Sequence, residues 1–157
     1  MKNSVKINLD YLFKPFSELT LVELYEILYL RQQVFVVEQT CPFEEIDHRD
    51  QYAHHLMGRH QNRLYSYARI VAPGKRFPGA SIGRIITHQD IRNQGYGKEL
   101  MKIAIKHTTT LYPQQDIHLS AQQHLEPYYE KFAFVRCSDP YDEDGIMHVD
   151  MKRRVSR

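Results

Sequence analysis

Short runs in which apolar and polar residues alternate recur along this chain, separated by clusters of turn residues. Such alternation is typical of half-buried strands, whose side chains point to opposite faces in turn. The pattern predicts strands at residues 5–9, 54–60, 63–71, 80–88, 116–121, 134–138 and 146–151. The turn Gln61-Asn62 joins the second and third of these runs. We expect residues 72–79, which contain glycine and proline, to form a mobile loop.

Apolar positions three and four residues apart predict helices between these strands. Thr20 and Glu23 have the spacing of a capping box, and the helix that they begin is predicted to bury one apolar face. The residues predicted on that face are Leu21, Leu24, Leu28 and Phe35. Pro42 ends any continuation of this helix, since proline cannot donate a helical hydrogen bond.

A second helix is predicted from Gly97 to Leu111, and a short third helix at residues 125–132. Leu100, Ala104 and Leu111 have helical spacing in the second helix, and its lysines at positions 98, 102 and 106 lie on a wetter face. Antiparallel strands come first and a β-α-β unit follows, so we predict an α/β fold with a mixed sheet. No repeat or linker divides the chain, and residues 1–157 are interpreted as a single domain.

Composition excludes several functional classes. The chain is 42% apolar and 25% charged, which is ordinary for a soluble globular protein, and its formal net charge of +2 does not favour nucleic acid as a partner. No apolar run approaches the ~20 residues that a membrane helix needs, and the first residues lack the apolar core of a signal peptide. Cys41 and Cys137 provide no disulfide framework. We therefore expect a cytoplasmic protein that does not contact a membrane.

The most informative segment follows the β-branched run at residues 82–87, where Gly95 and Gly97 begin the second helix. A helix start has backbone N–H groups without partners and the positive end of the peptide dipole, and glycine lets a ligand approach closely. Arg92 and Lys98 add positive charge. The segment predicts a site for a diphosphate, although an ordinary tight strand-to-helix turn would have the same residues.

Spacing excludes two common phosphate-binding loops. A Walker loop requires serine or threonine after the lysine, and Glu99 follows Lys98 here. A dinucleotide fingerprint requires a third small residue where this chain has Leu100.

The remaining pattern, Arg92-x-x-Gly95-x-Gly97, resembles the coenzyme A loop of the Gcn5-related N-acetyltransferase (GNAT) family. Further segments extend the resemblance from about residue 21 to residue 151. They are residues 31–39 (Arg-x-x-Val-Phe-Val-Val-Glu-Gln), 67–69, 82–84, 120–122 and 128–134. The Glu-Gln-x-Cys-Pro stretch at residues 38–42 and the Asp-Gly-Ile-x-His stretch at residues 144–148 are similar to the ElaA-like branch. One departure is Ala133, where the family usually has glycine.

The resemblance implies a mostly antiparallel central sheet with a splayed central strand pair and about four helices. It also implies acetyl-CoA as the co-substrate and no metal. The pantetheine arm would lie in the split beside the strand at residues 83–87. The implied contacts are Arg84, Ile85, Ile86, Thr87, Arg92, Asn93, Gln94, Gly95, Tyr96, Gly97, Lys98, Gln122 and Tyr129. Main-chain groups would make most of the contacts along the strand, where Ile85 and Ile86 are equally typical of core residues.

Tyr129 is the candidate that would assist departure of the thiolate, because it occupies the tyrosine position of the resembled pattern, five residues before Phe134. A hydrogen bond from a phenol to the developing thiolate is favourable, whereas full proton transfer is weakly driven, since a thiol has a pKa near ~8.5 and a phenol near ~10. A buried aromatic residue at a helix–sheet interface would have the same pattern. Tyr128 is expected to point elsewhere, into the core.

A general base must remove a proton from the ammonium group of the acceptor before attack. Chemically able groups are Glu38, Asp50, His54, His55 and His148, and Glu38 is the first candidate. The acidic segments at residues 38–50 and 139–144 would favour a cationic acceptor, or they are two solvated loops.

A metal site is not expected. His54 and His55 are adjacent on a predicted strand and point to opposite faces, so both cannot bind one ion without a bulge. Cys41 has no identifiable partner that would stabilise a thiolate, and we interpret it as a small apolar residue.

The sequence thus predicts an enzyme that transfers an acetyl group from acetyl-CoA to a primary amine, by direct attack in a ternary complex. The alternative is a non-catalytic module of the same fold that binds coenzyme A or an acyl-CoA. The acceptor amine is not identified by the sequence, and a homodimer that pairs through the late strands stays open.

Overall fold

A mixed sheet of eight strands organises residues 5–156, the part of the chain that the computed structural model describes. The strands are β1 (Asp10–Pro15), β2 (Ala53–His60), β3 (Arg63–Val71), β4 (Ala80–Thr87), β5 (Ile117–Gln122), β6 (Val135–Arg136), β7 (Tyr141–Glu143) and β8 (Ile146–Arg153). Their order is β1-β2-β3-β4-β5-β8-β6, and β7 pairs with β8. Every pairing is antiparallel except that of β4 with β5. The predicted α/β class with a mixed, mostly antiparallel sheet is confirmed.

The central parallel pair is splayed. Strands β4 and β5 pair only through Ala80 with Ile117 and Ser81 with His118, and the rest of β4 has no partner on that side among the described residues. On their outer sides β5 pairs along its whole length with β8, and β4 pairs with β3 on both sides of one irregularity. The split therefore exposes main-chain groups of β4 within the sheet itself.

Three α-helices cover the two faces of the sheet: α1 (Leu21–Arg31), α2 (Tyr96–Leu111) and α3 (Glu126–Glu130). A π-helical turn (Gln32–Glu38) extends α1 and brings the total near the predicted four. Because successive strand residues point to opposite faces, the core divides into two clusters. Leu56 and Ala68 pack in the cluster that contains α2, whereas Met57 and Tyr67 pack in the cluster that contains α1.

The start of α1 is as predicted, but its buried face is not. Thr20 and Glu23 form both hydrogen bonds of the capping box, at 3.1 and 2.9 Å. The helix buries Ile27, Leu30 and Arg31. The predicted face is wrong at Leu21, which is 87% exposed, while Leu24, Leu28 and Phe35 are half-buried. Apolar residues surround this helix, so periodicity alone does not select the face that meets the sheet.

The first strand lies at Asp10–Pro15, not at residues 5–9. Side chains bind two carbonyl groups of the earlier segment: Tyr96 donates to Ile7 over 2.6 Å, and the His60 ring lies 2.9 Å from the Asn8 oxygen. The strand β1 is an edge strand that ends in proline, a position where the missing N–H costs no ladder bond. Apolar–polar alternation does not mark this strand, because Tyr11, Leu12 and Phe13 are consecutive apolar residues.

Smaller differences between the predicted and the observed elements occur later in the chain. Helix α2 begins at Tyr96 and buries Leu100 and Ala104 as predicted, but Leu111 at its end is 38% exposed. Strand β6 contains two residues rather than the predicted five, and the short strand β7 was not predicted.

None of the helices within residues 5–156 has the length and apolarity needed to cross a bilayer.

Candidate active site

The glycine-containing turn between β4 and α2 has the geometry of an anion site. Gly95 has φ +90° and lies in open space, and Asn93 before it also has a left-handed backbone, with φ +61°. The first helical hydrogen bond runs from the Glu99 amide to the Gly95 carbonyl, at 3.2 Å. The amides of residues 95–98 accordingly donate to no acceptor within residues 5–156. Four N–H groups are thus available to a ligand at the positive end of a 16-residue helix.

Glycine is required at position 97 because side chains of neighbouring elements lie close to its α-carbon, not because its backbone angle is unusual. A β-carbon at this position would stand 3.1 Å from the Tyr128 hydroxyl and 3.6 Å from Oγ1 of Thr87. The start of α2 is therefore flanked by the end of β4 on one side and by α3 on the other. Tyr128 is half-buried: it packs against the core as expected, while its hydroxyl lies at the helix start.

The start of α2 opens into a cleft of about 920 Å³ that follows the split between β4 and β5. The structure brings most of the predicted site residues together along this cleft: Glu38, Arg84, Ile85, Ile86, Thr87, Arg92, Asn93, Gly95, Gly97, Lys98, Gln122 and Tyr129. Two predicted side chains lie outside it. Tyr96 is 2% exposed and anchored to Ile7, and the Gln94 amide nitrogen lies 3.4 Å from the Asp90 carbonyl. Any contact from Tyr96 would come from its backbone amide.

Strand β4 contains a bulge at the middle of the cleft. The register with β3 passes from Tyr67–Ile86 to Arg69–Gly83, so β4 has one extra residue, and Arg84 has φ +51°. A bulge breaks the ladder and redirects main-chain groups. The Ile86 side chain is 1% exposed and belongs to the core cluster of α1, so only its backbone faces the split.

Glu38 and Arg92, predicted for different roles, form an ion pair across the cleft. Arg92 Nη2 lies 2.8 Å from a Glu38 carboxylate oxygen, and Arg92 Nε donates to the Thr87 carbonyl at 2.9 Å. Both side chains of the pair are about one-third exposed, at 39% and 31%. The pair joins the π-helical turn after α1 to the turn before α2, beside the unpartnered amides.

Tyr129 on α3 is 8% exposed and packs at 6.4 Å against Phe134. Burial raises the pKa of its phenol above the ordinary value, with a smaller contribution from Tyr128. The hydroxyl makes no side-chain hydrogen bond within residues 5–156, and it is not among the fully buried unpartnered atoms, so it opens to the cleft that Tyr129 lines. At neutral pH this phenol is therefore a protonated donor without an acceptor.

The candidate bases separate into two groups. His55 is fully buried, with Nδ1 2.7 Å from the Tyr67 hydroxyl and Nε2 3.0 Å from the Asp50 carbonyl, and burial lowers its pKa. His54 stacks at 5.2 Å on Phe13, away from the cleft. Asp50 is also buried, so only Glu38 and His148 remain in the cleft.

His148 has one ring nitrogen free to accept a proton. Its Nδ1 lies 2.7 Å from the Ile146 carbonyl, an acceptor, so Nδ1 must be the protonated nitrogen of the neutral ring. Nε2 lies 3.7 Å from a Glu143 oxygen, too far for a hydrogen bond.

Within residues 5–156, no three histidine, cysteine or carboxylate side chains are grouped as metal ligands.

A buried ionic network adjoins the cleft, which its members Asp47 and Arg84 line. Arg31 and Arg69, at 0% and 1% exposure, share the Asp50 carboxylate over 2.6 and 3.0 Å. Arg31 also binds Glu45 at 2.9 Å, and Arg69 binds Asp47 through two bonds of 2.7 Å.

Arg84, next to the β4 bulge, completes the network through Glu45. Interpreting the acidic segment as solvated or cation-attracting is wrong for Glu45, Asp47 and Asp50, because three arginines from α1, β3 and β4 neutralise them. The sequence analysis missed this network. The spacing of Arg31 could have indicated it, because Arg31 follows Ile27 by four residues and therefore lies on the same buried face of α1.

The whole chain is similar to proteins of one family. The family model for the acetyltransferase (GNAT) domain matches residues 23–155. ElaA of Escherichia coli is 38% identical over 141 residues, covering 88% of this chain and 92% of ElaA, and a Synechocystis UPF0039 protein is 37% identical over 150 residues, covering 95% and 97%.

Solved structures give the same result. An acyl-CoA N-acyltransferase from Pseudomonas aeruginosa has a TM-score of 0.90 at 40% identity, and the crystal structure of Escherichia coli ElaA has 0.88 at 34%. Each comparison covers 93% of this chain and 99% of the other. The chain therefore belongs to the GNAT acetyltransferase family, in its ElaA-like branch.

Proposed function

We propose that this protein transfers an acetyl group from acetyl-CoA to a primary amine within a ternary complex. The observation that carries the proposal is the set of four amides at residues 95–98, without acceptors, at one end of a cleft that leads to Tyr129. Family membership supports a CoA thioester as the donor. The free amides, together with Arg92 and Lys98, would hold the diphosphate, and the unpaired edge of β4 would hold the pantetheine arm.

In the reaction the amine nitrogen attacks the thioester carbon and gives up a proton to the proposed base, the C–S bond breaks, and the sulfur leaves with the electron pair of that bond. Tyr129 is proposed to donate its hydrogen bond to the departing sulfur, which suits a phenol that is protonated and has no other acceptor. The bulge at Arg84 is proposed to accommodate the thioester, because it is the only break in the β3–β4 ladder among the described residues.

The first test concerns the anion site. Replacing Gly95 with aspartate is expected to weaken acetyl-CoA binding at least about tenfold, because it places a negative charge at the N–H groups that would hold the diphosphate. Isothermal titration calorimetry measures this directly. Gly74→Asp is the matched control, since Gly74 also has a left-handed backbone in open space, at φ +79°, but lies in another loop.

If acetyl-CoA binding is weakened equally in both variants, or is not weakened in Gly95→Asp, the assignment of the anion site is wrong. Thiol release over a panel of amines then separates catalysis from the alternative of a non-catalytic CoA-binding module. That alternative predicts tight acetyl-CoA binding without release above the hydrolysis background.

The second test concerns the base, for which we propose Glu38, acting through a water chain because its carboxylate lies at the Thr87 end of β4 and the thioester is placed at the bulge. Replacing Glu38 with glutamine is expected to lower kcat/KM about 10-fold to 100-fold at pH 7, and this deficit is expected to shrink as pH rises, because more of the amine is then already deprotonated. The pH profile of thiol release is the measurement. A pH-independent deficit would indicate a structural role for the Glu38–Arg92 pair, and a pH-dependent deficit in His148→Gln alone would reassign the base to His148.

A further inference from the structure

The loop between β3 and β4 is anchored to the sheet by an aromatic contact. Phe77 stacks on His118 of β5 at 5.1 Å with an interplanar angle of 11°, and the Gly74 amide donates to the Phe77 carbonyl at 2.8 Å. Gly79 allows the close approach, because a β-carbon there would stand 2.4 Å from the Asp116 carbonyl oxygen. The loop therefore presents Arg76, the residue before Phe77, at a defined place.

Arg76 enters the cleft beside the β4 bulge. Its Nη1 lies 3.9 Å from where a β-carbon on Gly83 would stand, and Gly83 directly precedes Arg84. Gly83 and Thr87 are four residues apart on β4, which corresponds to about 13 Å of strand. A donor that extends from the start of α2 along β4 would reach the bulge with its reactive end. Arg76 consequently lies beyond the thioester, on the acceptor side.

Arg76 differs from the other arginines of this region in having no counter-ion. Among residues 5–156, no carboxylate lies within 4.0 Å of its guanidinium group. Arg31, Arg69 and Arg84 are each bound to carboxylates of the buried network. Burial and the nearby charges of Arg84 and Arg49 lower the pKa of Arg76, with Glu143 opposing. Within the described residues, half-buried Arg76 thus has no direct ion-pair partner, and Glu143 attracts it only from beyond 4.0 Å.

The cleft also offers negative charge, and Glu143 is close enough to oppose the lowering of the pKa of Arg76 by burial. Glu44, Glu143 and Asp144 line it outside the buried network, and Arg49 lines it while contacting Asp47 at 3.4 Å. An acceptor that was only cationic would leave Arg76 without a partner and would approach a positive charge. An acceptor that carries both an ammonium and a carboxylate group would satisfy both signs.

We propose that the acceptor is an amine that also carries a carboxylate, as free amino acids do, and that Arg76 binds this carboxylate. The inference rests on the proposed function and names the substrate class of that site. The planar guanidinium presents paired N–H donors that match a carboxylate in bidentate geometry. This acceptor class narrows the earlier expectation of a cationic acceptor, because three of the acidic groups that suggested one, Glu45, Asp47 and Asp50, are bound to arginines.

The test uses pairs of amines that differ only in the carboxylate: L-lysine with cadaverine, and L-ornithine with putrescine. The wild type is expected to show a kcat/KM at least about tenfold higher for the carboxylated member of a pair. Arg76→Gln should reduce this ratio about tenfold. Arg76→Lys should reduce it less, because lysine keeps the positive charge but loses the paired N–H donors of the guanidinium group. Lys75→Gln is the control in the same loop, since Lys75 is exposed and stacks at 5.4 Å over Tyr52, outside the cleft.

Calorimetry on the protein saturated with coenzyme A, where no acetyl transfer can occur, gives a readout independent of turnover. L-Lysine and L-ornithine are expected to bind the wild type and to bind Arg76→Gln at least about tenfold more weakly. A preference for the diamines, or an unchanged ratio and affinity in Arg76→Gln, would overturn the inference. Amino-acid binding that depends on Arg76 without thiol release would instead reject the proposed catalysis and leave the carboxylate site standing.

Discussion

Replacing Tyr129 with phenylalanine is expected to lower the rate constant of acetyl transfer about 10²-fold to 10⁴-fold, while the Kd for acetyl-CoA stays nearly constant. The substitution removes one hydroxyl that has no protein partner, so the packing against Phe134 is retained. The lost group is proposed to act only as charge develops on sulfur, and its effect should therefore fall on kcat rather than on KM. Single-turnover measurements of thiol release with saturating amine report this step.

Tyr128→Phe is the matched comparison, because Tyr128 is the neighbouring phenol and contacts Tyr129 at 5.2 Å between ring centroids. Its hydroxyl lies at the start of α2, next to Gly97, rather than deep in the core. A large loss of kcat in Tyr128→Phe with little loss in Tyr129→Phe would reassign the donor to Tyr128. A change in the Kd for acetyl-CoA without a change in kcat would place either phenol in binding instead of chemistry.

The glycine turn and the free amides at the start of α2 were predictable from sequence because their determinants are local. Gly95, Gly97 and Arg92 lie within six residues, and the helix that follows supplies the free amides whatever the rest of the fold is. The capping box at Thr20 and Glu23 was predictable for the same reason. Such features depend on backbone geometry over one turn, which the residue types themselves determine.

The buried network and the acceptor end of the cleft were not predictable, because their partners are distant in the chain. Arg84 and Glu45 are 39 residues apart, and Arg69 and Asp47 are 22 residues apart. An acidic segment read alone looks solvated, and only the fold shows that arginines from three elements enclose it. Arg76 could not be distinguished from an ordinary loop arginine until its neighbours proved to be paired.

Replacing Asp50 with asparagine is expected to destabilise the protein by about 3–5 kcal/mol. The Asp50 carboxylate is shared by two fully buried arginines, and the nearly isosteric amide would leave both with too little negative charge. Urea unfolding at pH 7 measures the free energy of unfolding. Asp90→Asn is the control, because its ion pair with Arg63 is more than half exposed on both sides and is worth only about 0–1 kcal/mol. Equal losses in the two variants would show that burial of the network contributes nothing.

Acid titration of the same variants identifies the origin of this loss. Burial opposes the charge of Asp50, but the hydrogen bond and charge of Arg31 outweigh burial, so the pKa of Asp50 is below its ordinary value in the folded protein. A carboxyl group with a lowered folded pKa stabilises the protein above its unfolded pKa of about 3.9, and the stabilisation is lost as pH falls through the folded pKa. The wild-type free energy of unfolding should therefore decline below about pH 5, and Asp50→Asn should decline less steeply. Parallel declines would mean that Asp50 is not charged in the folded protein, and that the two arginines are neutralised by Glu45 and Asp47 alone.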